Sequence, residues 1–499
     1  MKRQWMIAAQ VALLASLGAW LSGCGGGNSA PPPLPVPKIQ NINSSTTPTS
    51  PVGLPIEING SGFQASPGKV NFTQGSTSID VVPAASAWSD TGIVAIVPAT
   101  LTAPGTVSVT VVTSGGTSNA VTLNLVASVT FNPSGMGWAT TMALPKAMTG
   151  LRAVAVPGTS STSAFAIVTG GYDGTANTTT VWSNNLNQDG TVGNSTNTTW
   201  TTIITNPLPT TLAHHAMAEA DDTNSLVASG KRYIYVIGGQ VNSTDAPGGV
   251  NTVYMASVDS TTGAVGTWTT LTNSLPQALV GTTATVHNGY LYVAGGLAAG
   301  NNVPTNAVYS APVNSDGTIG TWTTATNTLP TARAFGMMFV FGGQIYYIDG
   351  DPNNSSTPNA QGVGDKDVYF ASAVRGVIGT WQLNANLTIH DRAKGVLYNA
   401  YGQVIAGEGV YTGAVGSGEM ETSTINGSNT SNVALNSWNG LTGVTIPSAN
   451  VYNAGGFTSP LVTTTYSPRF LLLGGQAQTG TTGAGGALSS VVYYNNKPL

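Results

Sequence analysis

Beyond about residue 131, apolar and polar positions alternate in short runs separated by glycine-rich turns. The run Asn306-Ala-Val-Tyr-Ser-Ala-Pro-Val-Asn-Ser-Asp-Gly-Thr-Ile-Gly-Thr-Trp322, followed by Leu329-Pro330, is a clear example. Its alternation predicts a strand, an Asp316-Gly317 turn and a second strand ending near Trp322. Asp-Gly between two such runs signals a hairpin, because the turn needs positive φ and glycine supplies it without steric cost. Trp138, Trp200, Trp268, Trp322, Trp381 and Trp438 mark six relatives of this unit, roughly 55 to 65 residues apart. Between them, apolar strands end in Gly170-Gly171, Gly238-Gly239, Gly295-Gly296, Asp349-Gly350, Gly407-Glu408 and Gly474-Gly475. Aromatic-bearing strands follow, as at Val181-Trp182, Val253-Tyr254, Val308-Tyr309 and Val368-Tyr369. Each repeat thus predicts four strands. The chain finishes on Ser490-Val-Val-Tyr-Tyr494, a third strand without a fourth, and the region starts at Trp138, a fourth strand without predecessors. The two are expected to complete one sheet and so remove two exposed edges.

Residues 38–127 show a different rhythm: short alternating strands with turns every eight to twelve residues, which predicts a β-sandwich. The segment carries Gly60-Ser61-Gly62-Phe63, Pro98 after the apolar run Ile93–Val97, and a late Gly115-Gly116 turn. It resembles the IPT/TIG family of immunoglobulin-like domains, whose mark is that Gly-x-Gly-Phe turn. The resemblance implies a spacer or adhesive module, and the segment's own residues offer no catalytic constellation. Residues 128–499 resemble kelch-type β-propellers, in which a diglycine ends the second strand and aromatic residues mark the third and fourth. The fold class expected for the whole chain is therefore all-β: an immunoglobulin-like sandwich followed by a six-bladed kelch-like propeller closed by its N-terminal strand. Two repeats depart from the pattern, with Asp349 in the first glycine position and Glu408 in the second.

The composition narrows the function classes. Only 7% of the 499 residues are charged, the formal net charge is -4, and 63 are glycine. No basic stripe is present, so nucleic acid is not an expected partner. Residues 1–23 have a basic start, a short apolar run and small residues before Cys24, as in a secretory signal peptide. Leu21-Ser22-Gly23-Cys24 resembles a bacterial lipobox, which implies lipidation of Cys24, the sole cysteine, and anchorage to the cell envelope. Gly25 rather than Asp follows it, which implies the outer membrane in a Gram-negative cell. Residues 24–37 read as a Gly/Pro-rich tether.

In an up-and-down blade, the loops after each doublet and those joining successive blades share one face, with the Asp-Gly hairpins on the other. That grouping collects Asp173, His214, His215, Arg333, Asp349, Asp351, Asp391, Arg392, Glu408 and Arg469 at one mouth. Arg333, Asp349, Asp351, Asp391, Arg392 and Glu408 are the candidate ligand-binding residues. Asp349-Gly-Asp351-Pro-Asn353 has the opening spacing of a calcium loop but lacks its glycine and distal glutamate, Asn354 and Ala360 standing there instead. His214 and His215 are adjacent, so on a strand they would face opposite ways. Neither a metal nor a cofactor is expected. Galactose-oxidase-like enzymes combine the same two folds, but their copper site needs a Tyr-Cys crosslink, and no cysteine exists beyond Cys24. The expected function is a non-catalytic binding or adhesion lipoprotein whose propeller binds a glycan or a surface protein. The alternative is a carbohydrate-active enzyme of the kelch mutarotase or epimerase type, with Glu408 and an arginine serving in the channel.

Overall fold

In the computed structural model, residues 33–43, 45, 48–126, 136–160, 162–201, 203, 205–222, 227–242, 248–300, 302–353, 364–400, 402–407, 409, 420–425, 434–441, 451–461, 469–479 and 483–496 are described. They are all-β, and their single helix is the short 3-10 turn Ala85–Ala87. Cys24 and Glu408 lie outside the described residues. Everything from Val36 onward belongs to one unit.

The N-terminal part packs two sheets face to face. One orders Lys38–Ile42, Pro55–Ser61 and Gly92–Ile96; the other is built on Gly105–Thr113, with Lys69–Gln74 and Val121–Val126 on either side. Their inward residues, among them Ile56, Ile58, Phe72, Val109 and Leu123, form one core. The Gly60-Ser61-Gly62-Phe63 turn acts through sterics. Gly62 has φ +71°, and a Cβ on Gly60 would sit 2.5 Å from the Phe63 ring. Phe63 is thereby fully buried, and Trp88 Nε1 donates to its carbonyl at 3.1 Å.

Downstream, the described residues form six sheets of three to five strands, together with two small three-stranded ones. The third of the six orders Thr283–His287, Tyr290–Ala294, Val308–Pro312 and Thr323–Thr324, so the hairpin expected around Asp316-Gly317 is its outer edge. In the sixth, Val491–Asn496 is flanked by Phe470–Leu473 and by Met136–Thr140, with Trp138 opposite Tyr494. The beginning and end of this region are thus hydrogen-bonded together, as their strand content predicts.

Successive sheets share apolar cores. Ile167 of the first packs with Ile234 of the second, Tyr235 of the second with Leu291 of the third, and Tyr292 of the third with Tyr347 of the fourth. Tyr346 of the fourth joins Val404 of the fifth, and Tyr398 of the fifth joins Phe470 of the sixth. Leu471 of the sixth then packs with Val168 of the first. A backbone cycle follows the same order. Gly150, His214, Gly281, Phe335, Lys394 and Asn453 each have φ between +54° and +64°. Each donates its N–H to the carbonyl of the member before it, and Gly150 donates to Asn453 at 2.9 Å.

Side chains reinforce this order from the rim. Trp268, Trp322 and Trp381 donate their indole N–H to the carbonyls of Asn206, Asn273 and Asn327 respectively. Those asparagines donate their amides to Val265, Ile319 and Ile378, just ahead of the same tryptophans. The repeated tryptophan and the Asn before each Leu-Pro or its relative are therefore two halves of one clamp between neighbouring sheets. The hairpin glycines do similar work: a Cβ on Gly317 would lie 2.6 Å from the Tyr233 ring of the preceding sheet.

The N-terminal sandwich rests on the turns that join first and second strands of the third, fourth and fifth sheets. A Cβ on Gly342 would lie 2.6 Å from Pro55 Cγ, one on Gly343 2.6 Å from Val94, and one on Gly402 2.7 Å from Leu54. Asn59 Nδ2 donates to Asn288 Oδ1 at 2.8 Å, and the fully buried Glu57 meets His287 Nε2 at 3.2 Å. These turns lie at the end of the sheets opposite the glycine doublets.

Candidate functional site

The doublets turn sharply because both positions have positive φ: Gly170 and Gly171 stand at +57° and +104°, Gly295 and Gly296 at +62° and +110°. Asp349 takes the same left-handed φ of +56° ahead of Gly350 at +102°. In the fifth repeat Gly409, φ +98°, donates to Val451 O as Gly350 does to Arg392 O and Gly296 to Arg333 O. Gly409 is therefore the second residue of the fifth doublet, and the expected Gly407-Glu408 register is one residue early: Gly407 still pairs with Met420 inside the ladder. Glu408, like Asp349, precedes the second glycine in sequence.

A Cβ on Gly295 would lie 2.6 Å from the carbonyl of Arg333. At Asp349 a real side chain fills that space, and it is tied to the next repeat. Thr388 Oγ1 donates to Asp349 Oδ1 at 2.6 Å, and Arg392 Nη1 approaches Oδ2 at 3.4 Å. Arg392 also gives Nη2 to Glu421 Oε1 at 2.7 Å. Glu421 accepts from the backbone N–H of Ile389 and of His390 and meets His390 Nδ1 at 2.9 Å. Asp349, Arg392 and Glu421 are all fully buried. Burial pushes the Asp349 carboxyl well above the usual range, and nearby Glu421 adds to this, against the pull of Arg392 and Thr388.

Arg333, also fully buried, repeats the arrangement with different chemistry. Its guanidinium lies 4.8 Å from the Tyr369 ring centroid and reaches Asp365 and Asp367 at 3.3 Å. Glu421 holds in the fifth sheet the place that Tyr369 holds in the fourth: each is the second residue of a third strand, after Met420 and Val368. The sequence reading omits Glu421. An acid after the strand's first apolar residue, where Trp182, Tyr254, Tyr309 and Tyr369 stand in other repeats, is the signal that finds it.

The other expected residues scatter. Asp351 is buried near this cluster; desolvation raises its carboxyl to about 6, against the Asn353 N–H and the Lys394 charge. Its Oδ1 accepts from Asn353 N at 2.7 Å, so the Asp349–Asn353 segment aims its two carboxylates at separate partners rather than at one cation. Among the described residues no three His, Cys, Asp or Glu side chains converge as metal ligands do. Asp391 is half-buried beside Arg392. Asp173 pairs with Lys146, which holds it down at about 2. His214 lies outside the strands, at φ +54° in the backbone cycle. His215 is fully buried, hydrogen-bonded through Nε2 to Thr169 Oγ1 at 2.8 Å, and held at about 3 by desolvation. Arg469 does not join the doublet end. It precedes the strand Phe470–Leu473, which runs towards Gly474, and its side chain lies against Gly190 of an Asp-Gly hairpin.

Between the first strands of the six sheets lies a cavity of about 160 Å³, with Arg152, Ala216, Thr283, Met337, Val396 and Gly456 among its lining. A larger cleft, about 820 Å³, separates the sandwich from the fourth sheet. Residues 37–124 match the IPT/TIG domain family. No curated protein matches the chain.

Proposed function

We propose that the chain is a cell-envelope lipoprotein, lipidated at Cys24, whose IPT/TIG domain and six-bladed kelch-like propeller act together as a non-catalytic binding module for a glycan or a protein ligand. The propeller reading is supported by the cycle of cores and backbone hydrogen bonds, which runs through six sheets and returns to the first. The pairing of Met136–Thr140 with the last strand supports closure by the N-terminal strand.

One observation carries the non-catalytic part. The central cavity, about 160 Å³, is well below the roughly 300–1,000 Å³ of ordinary ligand pockets. Arg333 and Arg392, either of which the enzyme reading would pair with Glu408, are fully buried and bonded to carboxylates, which describes scaffold chemistry. Glycan-array and pull-down screens test the reading. Specific capture of a glycan or envelope protein, unaltered by Arg392→Met in any variant that still folds, is the expected result. Turnover of a sugar substrate by the same protein would reverse it.

A further inference from the structure

The cleft of about 820 Å³ exists only because the sandwich is docked on the sheet turns. Thr91 and Gly92 of the sandwich form one wall; Gln344, Phe370, Ser372 and Gln382 of the fourth sheet form the other. Its size falls in the usual range for ligand pockets, and junctions between domains are a preferred place for them. Half-buried Tyr290 and exposed Val377 offer apolar surface, while the Gln382 amide and the Thr91 and Ser372 hydroxyls offer donors and acceptors together. That mixture suits a polyhydroxylated ring better than an aliphatic chain.

Arg375 is the one charged residue lining the cleft. It is exposed and makes no ion pair among the described residues, unlike Arg333 and Arg392. It stands at φ +49° ahead of Gly376 at +80°, a turn position where Asn, Asp or Gly is the residue that backbone chemistry selects. The corresponding hairpins of the first and third sheets, Asp189-Gly190 and Asp316-Gly317, leave positive φ to the glycine alone. Turn formation therefore does not account for an arginine, whereas a guanidinium fork matches a carboxylate in two parallel hydrogen bonds.

We infer that this interdomain cleft binds an acidic saccharide, with Arg375 holding the carboxylate of a uronic-acid unit and the sandwich and the fourth sheet enclosing its ring. The inference rests on the reading of the protein as a glycan-binding module and gives that module its site. The test is calorimetric titration of the full chain with trigalacturonate, its methyl ester and a hyaluronan tetrasaccharide. At least one acidic probe is expected to bind. Arg375→Gln weakens that binding about tenfold or more, the loss of one charge-assisted hydrogen-bonded contact. If the bound probe is trigalacturonate, its neutral ester binds correspondingly less and is unaffected by Arg375→Gln. Thr91→Trp, at an exposed position on the sandwich wall, abolishes binding by filling the cleft. Binding of neither acid overturns the inference, as does acid binding that survives both substitutions. A neutral glycan or a peptide captured in the screens above, in a manner indifferent to both substitutions, also overturns it but leaves the binding reading standing. The absence of any captured ligand removes both.

Discussion

Glu421→Gln is the most informative perturbation of the buried charge cluster, because the structure contains its own replacement. Arg392 lies 2.7 Å from Glu421 and 3.4 Å from Asp349, all without exposure. At an effective dielectric of about 20, unit charges at those distances attract by about 6 and about 5 kcal/mol. The two carboxylates are therefore near-equal partners for one guanidinium. Burial, with Glu421 close by, pushes the Asp349 carboxyl well above its usual range. Removing the Glu421 charge removes one of the causes that raise it and leaves Arg392 to favour the ionised Asp349. The single variant should cost about 1–2 kcal/mol, less than the roughly 3–5 kcal/mol of stranding a buried charge. Asp349→Asn should likewise be mild. The double variant leaves Arg392 with neither carboxylate and should cost about 3–5 kcal/mol in total, more than the singles' losses summed. Urea unfolding midpoints of the four proteins measure the coupling. Additivity within about 0.5 kcal/mol would refute the argument.

Three further outcomes follow from the same contacts. Gly317→Ala combines a left-handed φ of +82° with a Cβ 2.6 Å from the Tyr233 ring, so it should cost about 2–5 kcal/mol; Gly75→Ala, at φ +59° with open space around it, should cost only about 1–2 kcal/mol, and equal losses in urea titrations would contradict this reading. The Asp351 carboxyl is raised from 3.8 to about 6 in the folded protein, so its protonated form supports the fold below about pH 4 and that contribution is lost as pH rises through 6. Asp351→Asn should therefore flatten the fall in melting temperature between pH 4 and 7, and an unchanged profile would count against it. Deleting residues 490–499 removes a strand paired on both sides and should abolish cooperative melting of the six-sheet region, whereas an unaltered melting temperature would break the closure account.

The repeat was legible in the sequence wherever side chains mark it. Glycine doublets, hairpin Asp-Gly pairs and clamp tryptophans recur because each meets a steric or hydrogen-bonding demand that few residues satisfy. The central backbone cycle was not legible, since Gly150, His214, Gly281, Phe335, Lys394 and Asn453 share a φ and nothing else. The fifth doublet was misplaced by one because Gly407-Glu408-Gly409 offers two registers, and only the hydrogen bond from Gly409 to Val451 chooses between them. Arg333, Asp349 and Arg392 stood out as rare charges. Their burial could not be read, because it depends on Glu421 and Asp367, far away in sequence. The seating of the sandwich was equally hidden: Gly342, Gly343 and Gly402 look like ordinary turn residues, and only the approach of Pro55, Val94 and Leu54 gives them a second task.

Binding without turnover is tested, in both its halves, by one titration. The saccharide captured most tightly by the full chain is followed by proton NMR at rising protein concentration, with its anomeric exchange rate measured in the same samples. Saturable changes in shift or line width are expected, with an exchange rate and a product spectrum identical to those of the free sugar. Accelerated anomeric exchange, or any new sugar species, would contradict binding without turnover.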